Sequence, residues 1–132
     1  MLKLSFSNPK FVEWTTKDGH HVVKCIYSCN RHETDPNQGS EAYNRKFTVE
    51  GIAACSPNDT YSLKLGRILA DSRAKSRAYS EALVYISSEE DIEEYIKYEQ
   101  DKLDFIKRMK FLKVQEGEHL KYVLDRADTM AE

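Results

Sequence analysis

The chain has 132 residues, 40% of them hydrophobic and 32% charged, with a formal net charge of −2 and three cysteines. That length accommodates one hydrophobic core, the charge content fits a folded globular chain rather than a disordered one, and no apolar run approaches the ~20 residues of a membrane span. The negative balance argues against a general polyanion binder, the odd cysteine count against a closed disulfide framework, and MLKLSFSNPK lacks the features of a secretory leader, so a reducing cytosol is expected.

The first elements in chain order form a hairpin. Phe11–Thr16 and His20–Asn30 are rich in β-branched and aromatic residues and flank Lys17-Asp18-Gly19, where Asp-Gly supplies the positive φ of a tight turn. In the second strand Val23, Cys25 and Tyr27 alternate with Val22, Lys24, Ile26 and Ser28, which predicts one mainly apolar face. Arg31–Ala42, with Pro36, Asn37 and Gly39, reads as a long surface loop. Tyr43–Cys55 is the third strand, with Phe47, Val49, Gly51 and Ala53 on one face. Gly51 and the alanines suit the close approach of a helix or a neighbouring chain.

Ser56-Pro57-Asn58-Asp59 then turns the chain, and Asp59 or Ser62 is placed to cap the following helix. In that helix Leu65, Ile68, Leu69, Ser72, Ser76, Tyr79 and Leu83 recur at three- and four-residue spacing as one stripe. Lys64, Arg67 and Lys75 flank the stripe on one side, Arg73 and Arg77 on the other. Ser87 followed by Glu90 offers a capping box for a second helix. No residue breaks the pattern from there to about Gln115, and Gly117 is a point where the helix ends or kinks.

The expected fold class is α+β, in a single domain over 1–132. An antiparallel sheet of three or slightly more strands (1–55) precedes a helix packed on it (59–86) and a long C-terminal helix or helix pair (88–130). So long a helix on so small a body needs cover, from its own hairpin or from a second subunit, and a homo-oligomer, dimer or higher, is expected. The Lys64–Arg77 segment is basic and the Glu89–Asp104 segment acidic, so the two are candidates to face each other within a subunit or across an interface.

No catalytic constellation stands out. His20, His21, Cys25, Cys29 and His32 resemble a metal cluster in composition only. Cys25 and Cys29 fall about 13 Å apart along a strand, too far for one zinc. Cys55 near a helix start has no base at a motif spacing. Arginines bind phosphate bidentately and stack on bases, which makes Arg67, Arg73 and Arg77, with Tyr79 and with Asn58 at the helix entry, candidate ligand-binding residues. The competing reading pairs those arginines with the acidic helix.

Gly51-Ile52-Ala53-Ala54-Cys55-Ser56-Pro57-Asn58-Asp59 and Leu65-Gly66-Arg67-Ile68-Leu69-Ala70-Asp71-Ser72-Arg73-Ala74 form a strand ending in G-x-A-x-C-x-P-x-D and a helix of the form LGxxLAxxRAxxxAY. This quarter of the chain resembles small phage-encoded proteins of Gram-positive hosts, and is most similar to the phage Thoeris anti-defence proteins that sequester cyclic ADP-ribose signals. The resemblance implies an amino-terminal sheet with carboxyl-terminal helices, oligomers with nucleotide pockets between subunits, action in the host cytoplasm, no cofactor and no catalysis. In that family arginines hold the phosphates and an aromatic holds the base; the candidate residues named above rest on their chemistry.

The strand–strand–strand–helix order also looks like a double-stranded-RNA-binding-type module, against which the net charge weighs. A third reading is an acidic inhibitor of a host nuclease or CRISPR effector, acting through Glu90, Glu93, Glu94 and Asp101.

Overall fold

The computed structural model describes residues 2–33, 44–56, 62–88 and 99–125. Four strands, β1 (Leu2–Phe6), β2 (Lys10–Thr15), β3 (His21–Glu33) and β4 (Asn44–Cys55), are followed by helices α1 (Leu63–Ser88) and α2 (Glu99–Asp125). The class is α+β, as the sequence implies.

β3 is the spine of the sheet. β4 lies along it in unbroken antiparallel register from His21↔Cys55 to His32↔Asn44. β1 and β2 both pair antiparallel with β3 but at different ends, Phe6 opposite Cys29 and Lys10 opposite Ile26. Between those pairs three residues, Ser7, Asn8 and Pro9, stand opposite two on β3, so β1 and β2 form one edge row slipped by a single residue. Ser7 holds the slip with its backbone N–H on the Ser28 carbonyl (2.8 Å), while its hydroxyl accepts from Ser28 N–H (3.0 Å). Pro9 has no donor to contribute, which suits it to the break.

The hairpin between β2 and β3 turns at Thr16–His20. Gly19 takes a φ of 90° and donates to the Thr16 carbonyl at 3.0 Å. Among the described residues Gly19 alone adopts a positive φ. The turn therefore needs only the second residue of Asp-Gly in the left-handed region.

One strand and two boundaries differ from the sequence reading, which does not include β1 as an element. Arg31, His32 and Glu33 belong to β3 rather than to a loop, because β1 supplies them with ladder partners. Ser87 and Ser88, expected to start a second helix, are the last residues of α1. Cap assignment favours Ser62, whose Oγ accepts from Leu65 N–H at 3.3 Å; Asp59 lies outside the described residues.

One face of the sheet carries the core. Leu2, Val23, Cys25, Tyr27, Cys29, Phe47, Val49 and Ala53 are buried there, as period-2 alternation dictates. Against them α1 presents Ala70, Ala74, Ala78 and Ala82, all completely buried, rather than the Leu65–Leu83 stripe. Leu69 and Leu83 pack at the margin of the core. The reason is Gly51. A Cβ there would collide with the Ala70 carbonyl oxygen and the Ala74 amide, and a Cβ on Gly66 would come within 2.9 Å of Val23. Helix backbone lies against strand backbone, and only a side chain of one carbon fits between.

α2 packs on α1, with Phe105 and Met109 joined to the core and Val123 also buried. It is tied to the sheet by Arg108, which donates to the Leu2 carbonyl at 2.6 Å. It runs unbroken through Gly117; the stretch 89–98 before it lies outside the described residues.

Candidate functional site

The shape of α1 distributes its charges. Arg73 and Arg77 are four residues apart and share a face of the helix. Arg73 reaches β4, where its Nη1 donates to the Ile52 carbonyl at 2.8 Å, and Arg77 is exposed beyond it. Arg67 points to the other side of the sheet: it forms an ion pair with Glu13 of β2 at 3.0 Å and lies over the Phe11 ring at 5.4 Å. β2 and β4 flank β3 on opposite sides, so Arg67 and Arg73 diverge.

Tyr79 is buried, edge-on to Phe6 at 5.9 Å between ring centroids. Burial, with the Glu116 carboxylate behind it, pushes its phenol upward. Within one chain the fold thus brings Arg73 and Arg77 together and separates them from Arg67 and Tyr79. Asn58, Glu90, Glu93 and Glu94 lie outside the described residues, as does the side chain of Asp101. The described contacts of the basic helix run to Glu13, to Asp71 of its own helix and to a β4 carbonyl.

The structure gathers a second set of groups that the sequence does not announce. Tyr27 Oη donates to Asp71 Oδ1, and Lys75 Nζ stands 3.1 Å from Asp71 Oδ2. Ser72 Oγ donates to Glu116 Oε2 at 2.6 Å, joining α1 to α2. Burial first, then the hydrogen bond to the Asp71 carboxylate, pushes the Tyr27 phenol well above its usual range. Burial alone would lower the Lys75 ammonium, but the Asp71 ion pair and the Glu116 charge outweigh it and leave it raised.

Cys25 stands 4.0 Å from Asp71 Oδ1, and burial plus that charge pushes its thiol up to about 11. Burial pushes Cys29 up to about 11 as well. Both are protonated at neutral pH, the opposite of what a nucleophile or a metal ligand requires. Among the described residues no group of three or more His, Cys, Asp or Glu side chains is placed to hold a metal.

Tyr27 and Asp71 are 44 residues apart, and so are Ser72 and Glu116, so no local spacing rule links them. The available signal was weaker: a tyrosine hydroxyl on an otherwise apolar strand face needs a partner.

A third feature is a groove of about 510 Å³ at the slip between β1 and β2, lined by Ser5, Ser7, Ser28, Asn30, Lys46 and Thr48 with Phe6, Cys29 and Phe47 at its base. Its volume is within the range of small-molecule clefts, and its polar side chains are the hydroxyls of Ser5, Ser7, Ser28 and Thr48, the Asn30 carboxamide and the Lys46 ammonium. No family model matches the chain, and neither the curated proteins nor the solved structures give a match.

Proposed function

We propose that the protein is a non-catalytic phage anti-defence protein that binds and sequesters a cyclic nucleotide immune signal of the cyclic ADP-ribose type. The observation that supports this reading is where the strand–helix signature falls. Its small residues, Gly51, Gly66, Ala70, Ala74 and Ala78, are those of the tight crossing between β4 and α1. Side chains this small serve packing alone. The one charged residue that the helix signature specifies, Arg73, is carried by that crossing to the margin of β4, with Arg77 one turn on. A guanidinium pair held on rigid backbone suits a phosphate-bearing ligand.

Because Tyr79 is turned away from Arg73 and Arg77, this reading takes the aromatic face for the base from another residue of the chain or from a second copy. The test is isothermal titration with cyclic ADP-ribose isomers and cyclic dinucleotides, followed by heating to release the ligand. Binding with chemically intact ligand recovered is expected. Arg73→Ala and Arg77→Ala should each weaken binding by about tenfold or more, the loss of one charge-assisted contact. Unchanged affinity in both, with loss in Lys46→Ala, would move the site to the groove. A flat titration with every ligand would reject the reading and turn the search to a protein target.

A further inference from the structure

One face of α2 is buried against α1, yet five of its apolar side chains stand exposed among the charges outside that contact. Phe111 is 60% exposed, Val114 61%, Leu103 45%, Tyr122 55% and Leu124 50%. Single exposed leucines are ordinary. Phe111 and Val114, three residues apart and both well exposed, form one contiguous apolar patch that a second helix can cover.

The charges around this stripe say what packs there. Asp104, Lys107, Phe111, Val114, Glu118 and Lys121 follow the alternating four- and three-residue spacing of a helix–helix seam, and all are exposed. The apolar pair is central, with an acid and a base on each side, in the order minus, plus, apolar, apolar, minus, plus. Turning a second helix end for end about a twofold axis at the level of Leu112 and Lys113 sets Phe111 against Val114. The same operation sets Lys107 against Glu118 and Asp104 against Lys121, and brings Leu103 to the end that carries Tyr122 and Leu124. Each contact among these residues is apolar on apolar or opposite on opposite, and the twofold makes each of them twice.

Other arrangements fail. A parallel pair in register sets Lys107 on Lys107 and Glu118 on Glu118. Sliding the antiparallel pair by one heptad sets Phe111 on a lysine and Val114 either on Asp104 or on Glu118. We infer that α2 forms an antiparallel interface with α2 of a second copy of this chain. The interface is isologous and closes at two copies. This inference does not depend on the ligand assignment: the pairing is read from α2 alone, and its test contains no nucleotide.

The experiment is sedimentation equilibrium of the full chain from micromolar to hundreds of micromolar, with circular dichroism to confirm the fold of each variant. The wild type is expected to dimerise. Lys107→Glu and Glu118→Lys each turn two attractions into repulsions and should weaken the dimer by about tenfold or more. The double exchange, K107E with E118K, restores opposite signs across the axis and should recover most of the affinity. A wild type that stays monomeric throughout, its stripe covered by another protein or by the chain itself, would overturn the inference. So would a dimer indifferent to either single reversal, or a double exchange no tighter than the singles.

Discussion

Tyr27, Cys25 and Asp71 show how a largely apolar strand face carries polar atoms into a core without leaving them stranded. The Tyr27 hydroxyl has Asp71 as its acceptor, and Asp71 has Lys75 to balance its charge. Tyr27→Phe removes the donor and leaves a carboxylate oxygen to find water, and should cost about 1–2 kcal/mol in urea titrations. Cys25 and Cys29 make the fold sensitive to alkali. Both bind their proton more tightly in the folded chain than in the unfolded one, where the ordinary value is 9.0. Their contribution is therefore complete below pH 9 and is lost as the pH climbs through about 11. Thermal melts across that window should show stability falling, and a Cys25→Ala, Cys29→Ala chain should show a shallower fall. Alternation along β3 revealed this face in the sequence. It did not reveal that the face continues through Arg31, whose side chain is completely buried with Nη1 donating to the Ala82 carbonyl at 2.9 Å. An arginine followed by His-Glu-Thr-Asp-Pro reads as loop, because residue type carries no information about a ladder partner supplied by β1.

Among the elements, the β4–α1 crossing is the least forgiving. Gly51→Ala places a methyl group into the Ala70 carbonyl, and backbone must move to admit it. We expect a loss of roughly 2–4 kcal/mol by denaturant titration, large for one carbon. Gly117 offers the contrast. It sits mid-helix with no atom near the position of a Cβ, so Gly117→Ala should stabilise by about 1 kcal/mol. The sequence disclosed that α1 lies close to the sheet, through Gly51 and the small residues opposite. It did not disclose which helical stripe faces inward, because periodicity weights large apolar residues. Here the leucines lie at the sides of the contact while alanines occupy its centre. The arginines suffered the same uncertainty: which stripe faces inward decides which of them share a side.

For the molecule as a whole, order and class of the elements from β2 onward were legible because each segment had its own period and its own punctuation: Asp-Gly at the hairpin, Ser-Pro at the end of β4, Ser62 at the start of α1. β1, only five residues long, was not. The clusters that join distant segments were not, since Tyr27 to Asp71 and Ser72 to Glu116 are contacts of tertiary origin. If α2 pairs as inferred, melting temperature should rise with protein concentration, and the rise should be smaller at high salt, which screens the four exposed ion pairs. A melting temperature independent of concentration would count against it.

The one-residue slip between β1 and β2 bears on how the protein survives at high concentration. A straight edge strand is a template on which a foreign strand adds, and addition repeated is a fibril. Here the edge is cut into segments of five and six residues, offset from each other and separated by a proline. A strand in register with β1 is out of register with β2, so growth from this side of the sheet stalls after a few residues. Repairing the slip, by deleting Asn8 and replacing Pro9 with Thr, should give a chain that folds but forms thioflavin-positive aggregates that the natural sequence avoids.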